Sequence, residues 1–263
     1  MRENIKFALS FFYNIVRNSI KGLQINQHQI VMYKKLLPLF FLIMLFAGSI
    51  SAESNITIKI HFTFKGNPLV FRDSSYITPA GDTVIIDMCK MYLTNFKLLH
   101  QHKEVYKENY SYHFINPLKH RDSIVLRNIK DNFDELEFYI GVDSLTNTMG
   151  VLTGDLDPVF AMYWAWNSGY INAKIEGTSS KCNTPQNRFE YHIGGYLAPY
   201  QSVQKVSVPL TGKEIHNNVL DLNADLSTWF TDIQLSAEPS ITVPSAKAVK
   251  MAQHYASMFS IAL

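Results

Sequence analysis

Two aromatic-rich stretches carry the residues of this chain whose types and spacing are suited to chemistry. In the first, residues 162–170, Trp164 and Trp166 are two residues apart, so on a strand they would point to the same face. The Asn-Ser-Gly sequence at 167–169 is typical of a turn and predicts that the pair lies near the rim of a sheet. The two indoles belong either to the core or to a binding surface.

The second stretch, residues 189–196, has the pattern of a strand that runs into two glycines. Apolar residues at positions 189, 191 and 193 define its buried face, so Glu190 and His192 share the opposite face. An imidazole at this position is suited to metal binding or to proton transfer, and with Glu190 it forms a candidate acid/base pair. The alternative is a structural histidine bonded to a backbone carbonyl.

Motifs of the common enzyme classes are missing from the sequence. It contains no G-x-S-x-G, P-loop or G-x-G-x-x-G motif, and neither H-E-x-x-H nor paired C-x-x-C zinc signatures. No nucleophile accompanies Glu190 and His192. The sequence therefore gives no support for an enzyme.

Two further features leave alternatives open. Residues 143–157 are rich in oxygen donors that suit Ca²⁺, but they lack the EF-hand spacing and also fit ordinary turns. Cys89 falls in a predicted strand and Cys182 in a polar loop, and spacing alone does not decide whether they are joined.

The composition is that of a globular protein. The 263 residues are 47% hydrophobic and 17% charged, with a formal net charge of +2. This charge is too small to indicate nucleic-acid binding, and 2 Cys are too few for a disulfide-rich scaffold.

The N-terminal region has the pattern of a targeting sequence. Lys34 and Lys35 precede an apolar run over residues 36–47 and then a group of small residues, which predicts a signal peptide at 32–52. The run is shorter than the roughly 20 residues that span a membrane, so we expect no stable span after cleavage. Translation is expected to start at Met32, with residues 1–31 a gene-model extension. The protein is therefore predicted to be exported.

The remaining residues, 53–263, are predicted to form a single all-β domain. Apolar and polar residues alternate from Ile56, and similar runs recur at 136–143, 170–176, 188–194 and 203–210, while 84–99 is apolar on both faces. Turn residues separate the runs, which favours a β-sandwich or open barrel of antiparallel strands. Near the end, Ser245 is placed to cap a short helix whose apolar spacing continues to Phe259.

These stretches together resemble the MbnP-like family of exported bacterial copper-binding proteins, in the form found in Bacteroidetes. The resemblance covers roughly residues 56–260, and its most specific element is M-Y-W-x-W-x-x-G-Y followed by x-H-I-G. The matching segments are residues 92–96, 141–143, 162–170 and 191–195, and the last two contain this element.

The resemblance implies a β-rich periplasmic protein that binds copper through histidine and through a Trp oxidised to kynurenine. It implies that a di-haem peroxidase related to MauG performs the oxidation, and it places His192, Trp164 and Trp166 at the metal site. Methanotroph members carry further histidines, in an N-H pair and a Y-V-H-D segment, where this chain has Thr148 and Thr94. Since Thr cannot replace imidazole, His61 on the first strand is a candidate substitute.

The favoured function is therefore copper binding or handling in the periplasm. The alternative is a carbohydrate- or protein-binding module without metal, in which the paired indoles stack on a sugar or a partner. A third interpretation is that the same residues only pack the core.

Overall fold

The structure is a computed structural model that describes residues 54–262, apart from 131, 168, 212 and 213. The predicted extension at 1–31 and signal peptide at 32–52 lie outside the described residues. Within the part of the chain that the structure describes, no helix has the length and apolar content needed to cross a membrane.

Strands are the commonest regular structure of the described chain, and two α-helices accompany them. The strands are β1 Ser54–Phe64, β2 Asn67–Pro68, β3 Ser75–Ile77, β4 Thr83–His100, β5 Lys103–Lys107, β6 Tyr112–Ile115, β7 Ser123–Ile129, β8 Glu135–Ile140, β9 Tyr163–Trp164, β10 Gly169–Thr178, β11 Arg188–Gly194, β12 Gln204–Pro209, β13 Ile215–His216, β14 Val219–Asp225, β15 Ser240–Ile241 and β16 Phe259–Ile261. The helices are α1 Ser144–Thr148 and α2 Ala246–Tyr255. The predicted all-β class with a short C-terminal helix is confirmed.

The strands form two curled sheets that make a half-barrel. The larger sheet has the order β12-β8-β4-β10-β11-β15, and β3, β5, β6 and β9 pair with its central strands. The smaller sheet has the order β13-β14-β1-β2, with β7 and β16 added. Most pairs are antiparallel as predicted, but β1 pairs in parallel with β14 and β11 with β15.

The main core lies where the apolar faces of the two sheets meet. Ile56, Ile58 and Ile60 of β1 are buried in the same cluster as Phe189 and Tyr191 of β11. These residues alternate with exposed or half-exposed neighbours, so the predicted inward faces of both strands are correct.

A second, smaller core covers part of the other face of the larger sheet. On β4, Tyr92 belongs to this second cluster, whereas its neighbours Met91 and Leu93 belong to the main core. Trp164 and Tyr170 of the β9–β10 hairpin are buried in the second cluster as well. The apolar character of both faces of β4 therefore reflects a strand that is covered on both sides.

The C-terminal helix begins where the sequence predicts and ends earlier. The Ser245 side chain accepts a hydrogen bond from the backbone N–H of Ala248, which is the expected N-cap. The helix ends at Tyr255, and Phe259 lies in β16, where it pairs with Ala224 of β14. Edge pairing with the smaller sheet satisfies the backbone there, which the apolar spacing alone did not reveal.

Candidate metal-binding site

His192 projects from the outer face of the larger sheet, away from the main core. Its flanking residues Tyr191 and Ile193 are fully buried between the sheets, and its direct partner across the strand pair is Lys174 of β10. The side chain is 17% exposed, so the imidazole is partly buried and still reached by solvent. The predicted orientation of His192 is correct.

The partner of His192 is Glu176, which lies diagonally across from it on β10. His192 Nε2 is 2.9 Å from Glu176 Oε1, and the same oxygen is 3.2 Å from Lys174 Nζ. The other oxygen, Oε2, accepts from Arg188 Nη2 at 3.1 Å. The hydrogen bond from His192 and the charge of Lys174 outweigh the effect of burial and lower the pKa of Glu176 from 4.5 to about 2.

The predicted acid/base pair of Glu190 and His192 is wrong. The two residues share a face as expected, but Glu190 Oε1 lies 3.5 Å from Arg188 Nε. The carboxylate that pairs with the His192 imidazole is that of Glu176. On an antiparallel pair, a diagonal neighbour on the next strand is within reach of long side chains. Glu176 is a residue that sequence reasoning missed, because its pairing depends on the register between β10 and β11.

Trp164 lies on the same outer face, beside the end of β11. Gly194 is two residues beyond His192, and a Cβ added to Gly194 would be 2.7 Å from Cζ3 of the Trp164 ring. The ring therefore covers the position where Gly194 has no side chain. Trp164 is 6% exposed, and its strand β9 pairs with β10 through Gly169. No ring contact joins His192 and either indole among the described residues.

Trp166 occupies a different environment from Trp164. Strand β9 ends at Trp164, so Trp166 lies in the turn of the hairpin and is 64% exposed. The prediction that both indoles share one strand face is therefore wrong. Their rings nevertheless contact each other, with centroids 5.5 Å apart and planes tilted by 43°.

The remaining polar groups of this face connect the charged residues to the second core. Lys90 of β4 is the direct neighbour of Lys174 and donates to the carbonyl oxygen of Phe160 at 3.1 Å. Burial and the charge of Lys174 lower the pKa of Lys90. The outer face therefore carries a charged network, and an aromatic cluster adjoins it.

The two threonines that the family resemblance aligns with further histidines have structural roles here. Thr94 is buried and donates to the carbonyl oxygen of Gly141 at 2.7 Å, and Thr148 Oγ1 donates to the carbonyl of Leu145. His61, the candidate substitute, lies on β1 of the smaller sheet and its Nε2 is 2.6 Å from Asp221 Oδ1. The structure therefore gives no sign that His61 substitutes for a site histidine.

The acidic segment 143–157 forms ordinary capped turns. Asp143 caps α1 through the backbone N–H of Thr146, and Asp157 caps the following 3₁₀ turn. Asp155 pairs with Arg121. Among the described residues, no group of three or more His, Cys, Asp or Glu side chains is placed to hold a metal ion. The calcium interpretation therefore has no structural support.

Both cysteines are free thiols in the structure. Cys89 and Cys182 are each buried in the main core, and neither forms a disulfide. Burial raises the pKa of the Cys89 thiol. Neither residue belongs to the outer-face network.

A cleft of about 440 Å³ opens at another part of the larger sheet. Lys97, Lys107, Tyr139 and Tyr196 are among its lining residues, and His192, Trp164 and Trp166 are not. The ring of Tyr196 also lies against the β9–β10 hairpin, because a Cβ added to Gly169 would be 3.1 Å from the Tyr196 ring.

Comparison with known proteins identifies the family. The model of the MbnP family matches residues 53–245. The chain belongs to the MbnP family. Among solved structures, MbnP from Methylosinus trichosporium is similar with a TM-score of 0.51 and 12% identity, over 75% of this chain and 87% of that chain. At this identity the match supports the fold. A comparison with the curated proteins finds no match.

Proposed function

We propose that this member of the MbnP family is an exported, periplasmic protein that binds copper and catalyses no reaction. The observation that carries the proposal is that Trp164 lies on the same outer face of the larger sheet as His192, at the end of β11. The Trp164 ring covers Gly194, which is two residues beyond His192 on that face. The copper is cargo that the protein stores or hands on.

The donor chemistry of this place suits copper when Trp164 is oxidised. Imidazole is a borderline ligand that copper accepts, and kynurenine offers an aniline nitrogen and a carbonyl oxygen. The described residues provide no cluster of three ordinary ligands, so the proposal depends on a second donor derived from Trp164. Trp166 remains the alternative site of oxidation, because its ring contacts that of Trp164.

The partner in this proposal is a di-haem peroxidase related to MauG. Two equivalents of hydrogen peroxide would each transfer one oxygen atom to the indole and be reduced to water, which cleaves the C2–C3 double bond and gives N-formylkynurenine. Hydrolysis by one water would then release formate and give kynurenine. Trp166, with 64% of its surface exposed, is the indole that a partner protein reaches first. Mass spectrometry of peptides from protein produced with its partner enzyme should show the oxidised residue. Unmodified Trp164 and Trp166 would contradict the kynurenine part of the proposal.

Copper titration tests the role of His192. We expect His192→Ala to bind copper more weakly than the wild type in competition with a chromophoric chelator. The matched control is His113→Ala, because His113 Nε2 also pairs with a carboxylate, Glu108 Oε2 at 2.8 Å, and its side chain is 22% exposed. Equal affinity of wild type and His192→Ala, or an equal loss in His113→Ala, would exclude His192 as a specific ligand.

A specific observation also favours the alternative function, a binding module for a carbohydrate or a protein. Besides Trp166, Leu145 of α1 is 68% exposed and Leu197 is 63% exposed. The segments of these two leucines are joined by the hydrogen bond from Ser144 Oγ to the carbonyl of Tyr196. Glycan arrays and affinity gels should then show retention that Trp166→Ala abolishes and that copper chelation leaves unchanged.

A further inference from the structure

The two ring nitrogens of His192 are in different environments. Nε2 lies 2.9 Å from Glu176 Oε1. Among the hydrogen bonds of the described residues, none involves Nδ1, and Nδ1 is not one of the fully buried polar atoms without a partner. One nitrogen is therefore held by the protein, and the other retains access from solvent.

The surroundings of Glu176 determine which nitrogen carries the hydrogen. The carboxylate lies between Lys174 Nζ, at 3.2 Å from Oε1, and Arg188 Nη2, at 3.1 Å from Oε2. Two cations at this distance keep the carboxylate ionised, and an ionised carboxylate only accepts hydrogen bonds. Nε2 is therefore the donor, and the neutral ring has its lone pair on Nδ1.

We infer that Glu176 is a positioning residue for His192, which holds the ring in the Nε2–H tautomer and presents Nδ1 as the copper-binding nitrogen. The copper half of this inference rests on the proposed function. Histidines that bind metals usually donate their other ring N–H to a carboxylate or a carbonyl, which orients the ring and raises its basicity. Glu176 occupies this place for His192.

The network also provides a control for a merely structural role. Arg188 contacts Oε2 of Glu176 and also Asp87, at 3.4 Å, but it does not contact the oxygen that accepts from His192. Arg188→Gln should therefore disturb the ion pairs of this face and leave the imidazole bond in place. Glu176→Met removes the acceptor at similar volume, and Glu176→Gln removes the charge but keeps an acceptor oxygen.

The first measurement uses the metal-free protein. Long-range ¹H–¹⁵N NMR of labelled protein distinguishes a protonated from an unprotonated ring nitrogen. We expect the Nε2–H tautomer in the wild type, in Arg188→Gln and in Glu176→Gln, and a mixture of tautomers in Glu176→Met. A wild-type ring with its hydrogen on Nδ1 would overturn the inference, whatever the protein does with copper.

The second measurement is copper affinity. We expect Glu176→Met to lose about 10- to 100-fold in affinity, the usual cost of removing such a partner, and Arg188→Gln to retain wild-type affinity. Wild-type affinity in Glu176→Met would overturn the inference. If the wild type has the Nε2–H tautomer but binds no copper, the proposed function fails and the assignment of Glu176 to the tautomer stands. Should Glu176→Met not fold, Glu176→Gln decides: it should keep the Nε2–H tautomer and bind copper more weakly, because a neutral amide raises the basicity of the ring less than a carboxylate does. Loss of the Nε2–H tautomer or wild-type copper affinity in this variant would overturn the inference.

Discussion

The position of the Trp164 ring over Gly194 leads to a prediction about a single methyl group. In Gly194→Ala, the new Cβ would lie 2.7 Å from Cζ3 of Trp164 and 2.7 Å from the backbone oxygen of Tyr170. Both distances are far shorter than a normal contact, so either the indole moves or the strand is strained. Overpacking of this kind usually costs about 1–3 kcal/mol.

The sign of the effect makes the prediction informative. The backbone of Gly194 is not in the left-handed region, so alanine can adopt its conformation. Without the close contacts, alanine would stabilise the protein by about 0.4–1 kcal/mol, because it lowers the conformational entropy of the unfolded chain. We expect Gly194→Ala instead to lower the free energy of unfolding by about 2 kcal/mol, which moves a urea midpoint down by about 1 M at an m value of about 2 kcal/mol/M. Urea unfolding followed by far-UV circular dichroism measures this shift without relying on Trp fluorescence.

A double-mutant cycle with Trp164→Phe tests whether the indole is the cause. Phenylalanine lacks the ring atoms that approach Gly194, so Gly194→Ala should cost less in that background, with a coupling energy of about 1 kcal/mol. Strictly additive effects, or a Gly194→Ala variant more stable than the wild type, would refute the placement of Trp164. The proposed function would then lose the observation on which it depends.

Two further predictions concern the stability of the fold. Because the pKa of Glu176 is lower in the folded protein than its ordinary value of 4.5, its ionised form contributes stability above about pH 4.5 that is lost as the pH falls toward about 2. Urea midpoints measured across this range should fall less steeply in Glu176→Gln, and equal slopes would contradict the assigned shift. At the C-terminal helix, Ser245→Ala removes the acceptor for the Ala248 N–H and should cost about 1 kcal/mol, which thermal unfolding will show as a lower Tm. An unchanged Tm would mean that the cap contributes nothing.

The pattern of residues along one strand indicates which face each side chain occupies, but it does not indicate where the pairing of that strand ends. The alternation around His192 correctly placed the imidazole on the outer face, and Ser245 correctly marked the start of α2. The same reasoning put Trp166 on a strand, although β9 ends at Trp164 and the turn begins there. A hairpin boundary depends on which backbone groups pair across it, and the spacing of two indoles does not contain that information.

The sequence by itself determined the all-β class, the inward faces of β1 and β11 and the candidate imidazole, because these follow from the two-residue period of a strand. Only the tertiary structure decided that Glu176 rather than Glu190 is bonded to His192, and that the ring of Trp164 covers Gly194, two residues beyond it. Both outcomes depend on the register between β10 and β11 and on the missing side chain at Gly194. Register is set by how separate strands pack together, so it is a property of the folded chain as a whole.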